Sequence, residues 1–287
     1  MLKGRNMFKK LTIGKLLIAY LCVVYKAIAS FPQGSEIYTI SSMQELEKYV
    51  DKQTIVLLDL DHTIFEGNYY GYGHANWFYD QIEKGKAQGI EEKITIARIF
   101  PHWLHSQKST KVKPVELLTP ELIKKLQNEG TLVVGLTSRQ VPLVDITLNQ
   151  LKEINIEFDD PRLPKETISM LFKAPTMMKG GTIFCSEYND KGEVLHAYLD
   201  RLNIFPNKIL FVDDSYRNLQ SVIKAYSSQA MVVGLYYPLV AEYKKQHWNA
   251  ERAHQEYYDV YLSTSALKAY PLENRNEKNN KLNKVAA

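Results

Sequence analysis

The sequence contains very little cysteine, only two of its 287 residues. Cys22 lies in an N-terminal segment with the features of a cleaved leader, and removal of that segment leaves Cys185 alone. A single cysteine cannot form an intramolecular disulfide, so we expect the apolar core to hold the fold together. Cys185 ends the segment Gly181-Thr182-Ile183-Phe184-Cys185, and no histidine pattern typical of a cysteine nucleophile accompanies it. We therefore predict a buried strand residue at this position.

An apolar run long enough to cross a membrane is missing near the N-terminus. The stretch there covers residues 16–25, whereas a membrane-spanning helix needs about 20 apolar residues. Basic residues precede the stretch, and Ala27 and Ala29 follow it in the small-x-small pattern of a secretory cleavage site. We predict a signal peptide over residues 1–29, a mature N-terminus at Ser30, and a periplasmic or secreted protein without a stable membrane span. An uncleaved anchor is the alternative.

The remaining chain also lacks a basic excess. The full sequence has a formal net charge of +4, from 36 basic and 32 acidic residues. Six basic residues and no acidic ones lie in residues 1–29, so 30 basic residues face 32 acidic ones afterwards, a net charge of −2. This balance argues against the nucleic-acid-binding class, and we predict no nucleic-acid partner.

The chain does contain a buried-strand pattern that ends in two carboxylates. Residues 55–58 are all apolar, and Asp59 and Asp61 follow. A continuous apolar run predicts a strand buried on both faces, which implies a parallel sheet covered by helices. Ligand and catalytic groups gather beyond the carboxyl ends of such strands. Side chains two apart on an extended segment point the same way, so the two carboxylates can share a cation.

Helix and strand patterns then alternate along the chain, which predicts a three-layer α/β fold with a Rossmann-like parallel sheet. Helix patterns begin at Ser42, as a capping box with Glu45, at Thr119, as the cap, and near residues 142 and 191. Strand patterns cover residues 131–136, 182–185, 207–212 and 230–236. Residues 155–180 read as irregular, a Tyr-rich helical region follows residue 236, and residues 271–287 are predicted to be a disordered tail.

Polar groups also follow the strand patterns that end at residues 136 and 212. Together with Asp59 and Asp61, they belong to segments that resemble the motifs of a known family. Leu58 to Thr63, Leu136 to Arg139, Lys191, and Phe211 to Asn218 resemble the four motifs of the haloacid-dehalogenase-like (HAD) superfamily in order and spacing. The resemblance covers about residues 54–236. One departure is Asn218, where many relatives have a second acidic residue, and residues 155–180 are longer than a minimal core requires.

The resemblance implies a magnesium-dependent phosphomonoester hydrolase. Asp59 would attack phosphorus to form an aspartyl-phosphate, and Asp61 would protonate the leaving oxygen and then deprotonate water. Lys191 would supply a fixed positive charge at the same site. An acid at the position of Asp61 favours phosphatases over the dehalogenases and pump ATPases of the superfamily. The substrate would be a phosphorylated small molecule or a phosphoprotein.

The resemblance also implies residues for the ligands. Substrate-binding candidates are Thr137, Ser138 and Arg139, of which Arg139 is either a surface cation or a clamp for the phosphate. Mg²⁺ would be bound by oxygens of Asp59, Asp61, Asp213 and Asp214. Either Asp213 or Asp214 would be the direct ligand from the fourth motif. His62 lies between motif residues and is expected to point away from the pocket, because neighbours on an extended segment alternate. Each residue has a plainer interpretation, since an aspartate can cap a turn and a lysine can be solvated.

The domain prediction is a HAD-like core over residues 30–270 with residues 64–118 inserted as a mainly helical cap. The aromatic segment 69–79 either forms the core of that cap or lends Tyr70, His74 or Trp77 to the substrate pocket. A different class of function is a catalytically weak scaffold that acts as a secreted binding or effector protein. The Tyr-rich residues 236–270 would be its partner surface, although a helix packed on the sheet explains them as well.

Overall fold

The computed structural model describes residues 34–263 of the chain. The predicted signal peptide and the predicted disordered tail lie outside these residues. The described chain divides into two compact units, one formed by residues 34–66 and 114–242 and the other by residues 67–113 and 243–263.

The first unit is built around an eight-stranded sheet. Its strand order is β1-β10-β9-β2-β5-β8-β7-β6, and the six strands from β1 to β8 in that order are parallel, while β7 and β6 run antiparallel at one edge. The strands of the described chain are β1 Glu36–Thr39, β2 Thr54–Leu58, β3 Phe65–Gly67, β4 Val112–Pro114, β5 Leu132–Thr137, β6 Ile168–Leu171, β7 Pro175–Lys179, β8 Thr182–Phe184, β9 Lys208–Asp213 and β10 Met231–Tyr236.

Helices alternate with these strands along the chain. The α-helices are α1 Ala75–Ala87, α2 Glu92–Ser109, α3 Thr119–Asn128, α4 Val144–Glu153, α5 Lys191–Arg201, α6 Tyr216–Tyr226, α7 Leu239–His247 and α8 Ala250–Ser263, with 3₁₀ helices at Met43–Tyr49 and Val141–Leu143. The capping box predicted from Ser42 and Glu45 is confirmed, and it begins the first of these 3₁₀ helices.

Layers of helix cover both faces of the central strands. Every residue of β2 and of β5 is buried, and successive side chains of a strand point to opposite faces of the sheet. The predicted three-layer α/β fold is therefore confirmed. One face packs apolar side chains of α5 and α6 against β2, β5 and β9. Cys185 belongs to this core, and burial raises the pKa of its thiol to about 12, as expected for an inert residue.

Two local expectations were wrong. Residues 155–180 are not irregular throughout, because β6 and β7 form an antiparallel hairpin that extends the sheet beyond β8. Thr119 is the first residue of α3 and not its cap, because Leu118 already has helical dihedral angles and makes no side-chain cap bond. The buried positions predicted for this helix, Leu122, Ile123 and Leu126, are confirmed.

The second unit has its own aromatic core, made of the buried residues Tyr72, Trp77, Tyr257 and Tyr261. The rings of Trp77 and Tyr257 stack with centroids 3.6 Å apart. A Cβ atom at Gly71 would lie 2.2 Å from the carbonyl oxygen of Ala253, so the two backbones approach too closely for any other residue. The C-terminal helix α8 therefore packs with the insertion, whereas the sequence assigned it to the core.

Aromatic residues considered for the substrate pocket also have roles within this unit. Trp77 lies in the aromatic core, and the Nδ1 atom of His74 accepts a hydrogen bond from the Asn76 N–H as the cap of α1. The Tyr70 hydroxyl donates to the carbonyl oxygen of His247 at 2.6 Å. These contacts agree with the alternative in which the aromatic segment forms the core of the inserted unit.

Glu116 joins three parts of the first unit, and its removal should destabilise the fold. One carboxylate oxygen accepts hydrogen bonds from the Met43 N–H and from the buried Tyr237 hydroxyl, both at 2.6 Å, and the other accepts from the Ser42 hydroxyl at 2.9 Å. We expect Glu116→Ala to lower the free energy of unfolding by about 2–3 kcal/mol, because it leaves buried donors without an acceptor. Urea denaturation measures the change. Glu166→Ala, at an exposed site, is the control, and an equal effect of both substitutions would contradict the prediction.

Candidate active site

The site forms where three neighbouring strands end. Strand β2 lies between β5 and β9, and its last residue, Leu58, pairs with Gly135 on one side and Val212 on the other. Asp59 and Asp213 are the next residues on adjacent parallel strands, so they leave the sheet side by side. Thr137 ends β5 on the other side of β2. The sheet register therefore brings three of the predicted motifs to one edge.

Lys191 forms ion pairs with two of these aspartates. Its ammonium lies 2.6 Å from Asp59 Oδ1 and 2.8 Å from Asp213 Oδ2. All three residues are buried, with exposed fractions of 2% for Lys191, 5% for Asp59 and 0% for Asp213. The second oxygen of Asp59 accepts a hydrogen bond from the Thr63 hydroxyl at 3.2 Å. This arrangement is a buried charge cluster and not a set of solvated surface groups.

The charges in the cluster do not balance. Burial, together with repulsion from Asp213 and Asp214, raises the pKa of Asp59 well above its usual range, although Lys191 opposes the shift. Burial also raises the pKa of Asp213. Burial alone would lower the pKa of Lys191, but the two carboxylates outweigh it and hold that pKa above its usual value. The lysine stays charged, and its single positive charge contacts two of the three clustered carboxyl groups.

Three carboxyl groups are placed to bind a cation. One oxygen each of Asp59, Asp213 and Asp214 lies within 4.8 Å of the others. An all-oxygen donor set suits the hard divalent cations, magnesium, manganese and calcium. The excess of buried negative charge gives such a cation an electrostatic reason to bind there. The predicted metal-binding residues Asp59, Asp213 and Asp214 are thus brought together.

Asn218, the departure from the family pattern, has a structural role beside the cluster. Its side-chain amide donates to both oxygens of Asp213, at 3.0 and 3.1 Å. The Ser215 N–H donates to Asp213 Oδ1 at 2.7 Å. An amide at position 218 adds no further negative charge and fixes the orientation of the Asp213 carboxylate.

Asp61 has a different environment from Asp59. Both of its carboxylate oxygens accept hydrogen bonds from Arg139, at 2.8 Å from Nε and 2.8 Å from Nη2. Burial raises the pKa of Asp61, but the Arg139 guanidinium outweighs that effect, so this pKa lies below its usual value. The side chain of Asp61 is 45% exposed, which leaves it accessible to a substrate.

The three residues of the predicted substrate-binding segment have different environments in the structure. The Thr137 hydroxyl accepts a hydrogen bond from the Arg139 N–H at 3.1 Å, so its own proton remains available to a ligand. Ser138 follows and is partly exposed. Arg139 points instead toward Asp61, and its side chain is only 8% exposed. The predicted phosphate clamp at Arg139 therefore has no support in this geometry, because Asp61 and helix α4 hold the guanidinium.

The expectation that His62 points away from the site was wrong. Strand β2 ends at Leu58, and His62 adopts a left-handed conformation with a φ of +62°. Strand alternation therefore does not apply to it, and its Nδ1 atom lies 3.5 Å from Asp214 Oδ2. No pattern in the sequence marks this turn, since a left-handed histidine is set by the surrounding structure.

Close packing of α5 against α6 holds Lys191 in place. The Asp190 side chain caps α5 by accepting from the Glu193 N–H, and the Gly192 N–H donates to the Ser221 hydroxyl at 2.8 Å. A Cβ atom at Gly192 would lie 2.3 Å from the backbone carbonyl oxygen of Ser221. Backbone cannot yield as a flexible side chain can, so position 192 accommodates only glycine without a shift of α5.

We expect Gly192→Ala to impair both stability and the site. The overlap should cost about 1–3 kcal/mol of unfolding free energy despite the higher helix propensity of alanine. The shift of α5 should displace Lys191 and lower turnover about 10- to 100-fold. Denaturation and steady-state kinetics measure the two effects. Glu193→Ala, at the exposed neighbouring position, should change neither, and wild-type turnover in Gly192→Ala would refute the positioning role.

Fold and site together define an α/β protein with a buried aspartate–lysine centre at the carboxyl ends of its central strands. The chain belongs to the family described as "Protein of unknown function (DUF2608)", whose model matches residues 39–268. Among residues 34–263, no helix combines the length and the apolar character needed to cross a bilayer.

Two relatives are similar to this chain over much of their length. The chain is 31% identical to a "Putative outer membrane protein" of Chlamydia muridarum over 194 residues, 66% of this chain and 71% of the relative. It is 24% identical to an uncharacterized protein of Rickettsia prowazekii over 231 residues, 73% of this chain and 78% of the relative.

The solved structures that the chain matches are more distant in sequence. The class C acid phosphatase from Bacillus anthracis is 12% identical, with a TM-score of 0.33 over 75% of this chain and 81% of that one. A haloacid dehalogenase-like family hydrolase from Streptococcus pneumoniae is 12% identical, with a TM-score of 0.36 over 67% of this chain and 98% of that one. Neither similarity assigns a function to this chain.

Proposed function

We propose that the protein is a magnesium-dependent phosphomonoester hydrolase of the HAD type that acts through an aspartyl-phosphate. The observation that carries the proposal is the buried cluster in which Lys191 bridges Asp59 and Asp213 at the carboxyl ends of β2 and β9. A structural ion pair would need one carboxylate for one lysine. Three clustered carboxyl groups, two of which share one ammonium, suit a site that binds a cation and a phosphate together.

Asp59 is the proposed nucleophile. The Thr63 hydroxyl and the Lys191 ammonium each hold one of its oxygens, which fixes the carboxylate at the end of β2. Attack on phosphorus forms the new oxygen–phosphorus bond while the bond to the leaving oxygen breaks, and water later hydrolyses the aspartyl-phosphate. Lys191 keeps its charge throughout and offsets part of the negative charge of the phosphoryl group.

Asp61 is the proposed general acid and base, because its partly exposed carboxyl group is two residues from Asp59. The negative charge of a bound phosphate raises the pKa of Asp61 against the lowering effect of Arg139. Asp61 then gives a proton to the leaving oxygen and later accepts one from the attacking water. The Thr137 hydroxyl donates to a phosphoryl oxygen, and the neighbouring Ser138 contributes at the same edge. Arg139 does not take the substrate-binding role that the sequence suggested.

Magnesium would be held by carboxylate oxygens of Asp59, Asp213 and Asp214 and by the backbone carbonyl of Asp61. When bound, it supplies the positive charge that lets an anionic phosphate approach an anionic nucleophile. The donor set fits, since all four atoms are oxygens and Asn218 and Ser215 orient Asp213.

Release of inorganic phosphate tests the proposal. We expect the purified protein with Mg²⁺ to hydrolyse a generic aryl phosphate, and a panel of phosphorylated sugars, nucleotides, other metabolites and phosphopeptides should identify the substrate class. A protein that hydrolyses none of them at saturating Mg²⁺ would favour the catalytically weak scaffold instead.

We also propose that the protein is exported to the periplasm or secreted. The basic and apolar residues 1–29 support this proposal, as does the name of the chlamydial relatives. Mass spectrometry of the protein from its native host should find Ser30 at the mature N-terminus. Recovery of intact residues 1–29 would show an uncleaved segment, and a cytoplasmic location would contradict export.

A further inference from the structure

We propose that Arg139 is a positioning residue, which holds the Asp61 carboxyl group in the orientation needed for proton transfer and does not bind the substrate. The inference rests on the proposed function, because Asp61 transfers protons only if the site hydrolyses phosphate esters. It assigns a role to the last residue of the second motif and to two residues of helix α4.

The contact between Arg139 and Asp61 is bidentate. Nε donates to Oδ2 and Nη2 donates to Oδ1, each at 2.8 Å. Two parallel hydrogen bonds fix the plane of the carboxylate as well as its distance, which a single contact cannot do. The two contacts therefore hold the Asp61 carboxyl group in one orientation relative to Arg139.

The other side of the guanidinium is anchored in the fold. Nη1 donates to the Thr147 hydroxyl at 3.0 Å and to the Gln150 side-chain oxygen at 2.7 Å, both on α4. The Thr147 hydroxyl donates in turn to the Leu143 carbonyl oxygen at 2.7 Å. The Phe65 ring lies against the guanidinium, with its centroid 4.9 Å from Cζ. Arg139 thus links Asp61 to α4, so the position of this helix determines where the Asp61 carboxyl group lies.

Asp61 and Arg139 differ in how far their side chains are exposed to solvent. The side chain of Asp61 is 45% exposed, whereas that of Arg139 is 8% exposed. A substrate can reach the carboxyl group, but the arginine lies behind it with at least four N–H groups directed at protein acceptors. Lysine cannot replace this planar fork, because an ammonium cannot make the bidentate contact and the α4 contacts together.

The test compares leaving groups in a double-mutant cycle. Arg139→Gln should lower kcat about 100-fold for an alkyl phosphate with less than about a threefold change in KM. The loss should be much smaller for an activated aryl phosphate, whose leaving oxygen needs little protonation. In an Asp61→Asn background, Arg139→Gln should cause no further loss of kcat. Arg139→Lys should not restore the wild-type dependence on the leaving group.

Two milder variants test the same role in case Arg139→Gln fails to fold. Gln150→Ala and Thr147→Val each remove one anchor and should lower kcat for the alkyl ester about 3- to 10-fold, with the same dependence on the leaving group. Arg162→Gln breaks another bidentate arginine–aspartate pair, with Asp160, and should leave kinetics unchanged.

The outcomes separate this inference from the proposed function. A rise in KM that is equal for both esters, and that persists in the Asp61→Asn background, would show a substrate clamp and overturn the positioning role. Equal kcat losses on both esters from Gln150→Ala and Thr147→Val would overturn it too. If the wild-type protein hydrolyses no ester, the proposed function fails and the role of Arg139 fails with it.

Discussion

Replacing Asp59 with asparagine should abolish turnover, with a loss of at least about 10⁴-fold, while the protein stays folded. The amide is too poor a nucleophile to attack phosphorus, so no aspartyl-phosphate forms. Stability should be unchanged or slightly higher, because one of three mutually repelling carboxyl groups is removed while Lys191 keeps its ion pair with Asp213. Loss of activity without loss of stability distinguishes a nucleophile from a structural residue.

Two measurements check this result. Phosphate release gives the turnover number, and acid-quenched reactions with labelled substrate show whether a covalent phosphoenzyme accumulates. Asp145→Asn, at a side chain that is 79% exposed, is the control. It should retain both phosphate release and phosphoenzyme formation. Residual turnover in Asp59→Asn above about 1% of the wild-type value would exclude Asp59 as the nucleophile.

Removal of divalent metal should have an effect of similar size. Asp59, Asp213 and Asp214 together bring up to three negative charges, a phosphate monoester adds nearly two more, and Lys191 offsets one. Exhaustive chelation should therefore reduce turnover to background, and Mg²⁺ should restore it. Manganese should substitute in part, whereas calcium should inhibit because its larger and looser shell disturbs the in-line geometry.

Two variants distinguish the contribution of the metal to activity from that of Lys191. Asp214→Asn should raise the Mg²⁺ concentration required for half-maximal activity, because this carboxylate lies at the edge of the cluster. Lys191→Met should lower turnover even at saturating Mg²⁺, because the metal cannot replace a charge that contacts Asp59 directly. The thermal stability of the wild-type protein should rise with added Mg²⁺, and less so in Asp214→Asn. Full activity after chelation would refute both the metal site and the HAD mechanism.

The sequence determined the central sheet and the order of the site residues. Apolar runs that end in Asp59, Thr137 and Asp213 predict buried parallel strands, because only a strand covered on both faces tolerates continuous apolar residues. Parallel strands bring their carboxyl ends to one edge, so the approach of Asp59 and Asp213 follows from the strand pattern, whereas the resemblance to the HAD motifs predicted Lys191 beside them. These features depend on local pattern and on topology, which the sequence expresses directly.

Tertiary structure alone decided which partner each side chain takes. Arg139 is close to Asp61 because α4 anchors its guanidinium, and His62 reaches Asp214 because the turn after β2 is left-handed. The hairpin of β6 and β7 and the packing of α8 with the insertion depend on contacts between residues far apart in the chain. Such contacts leave no periodic signal, since many partners satisfy the same hydrogen bond or apolar surface until the whole fold selects one.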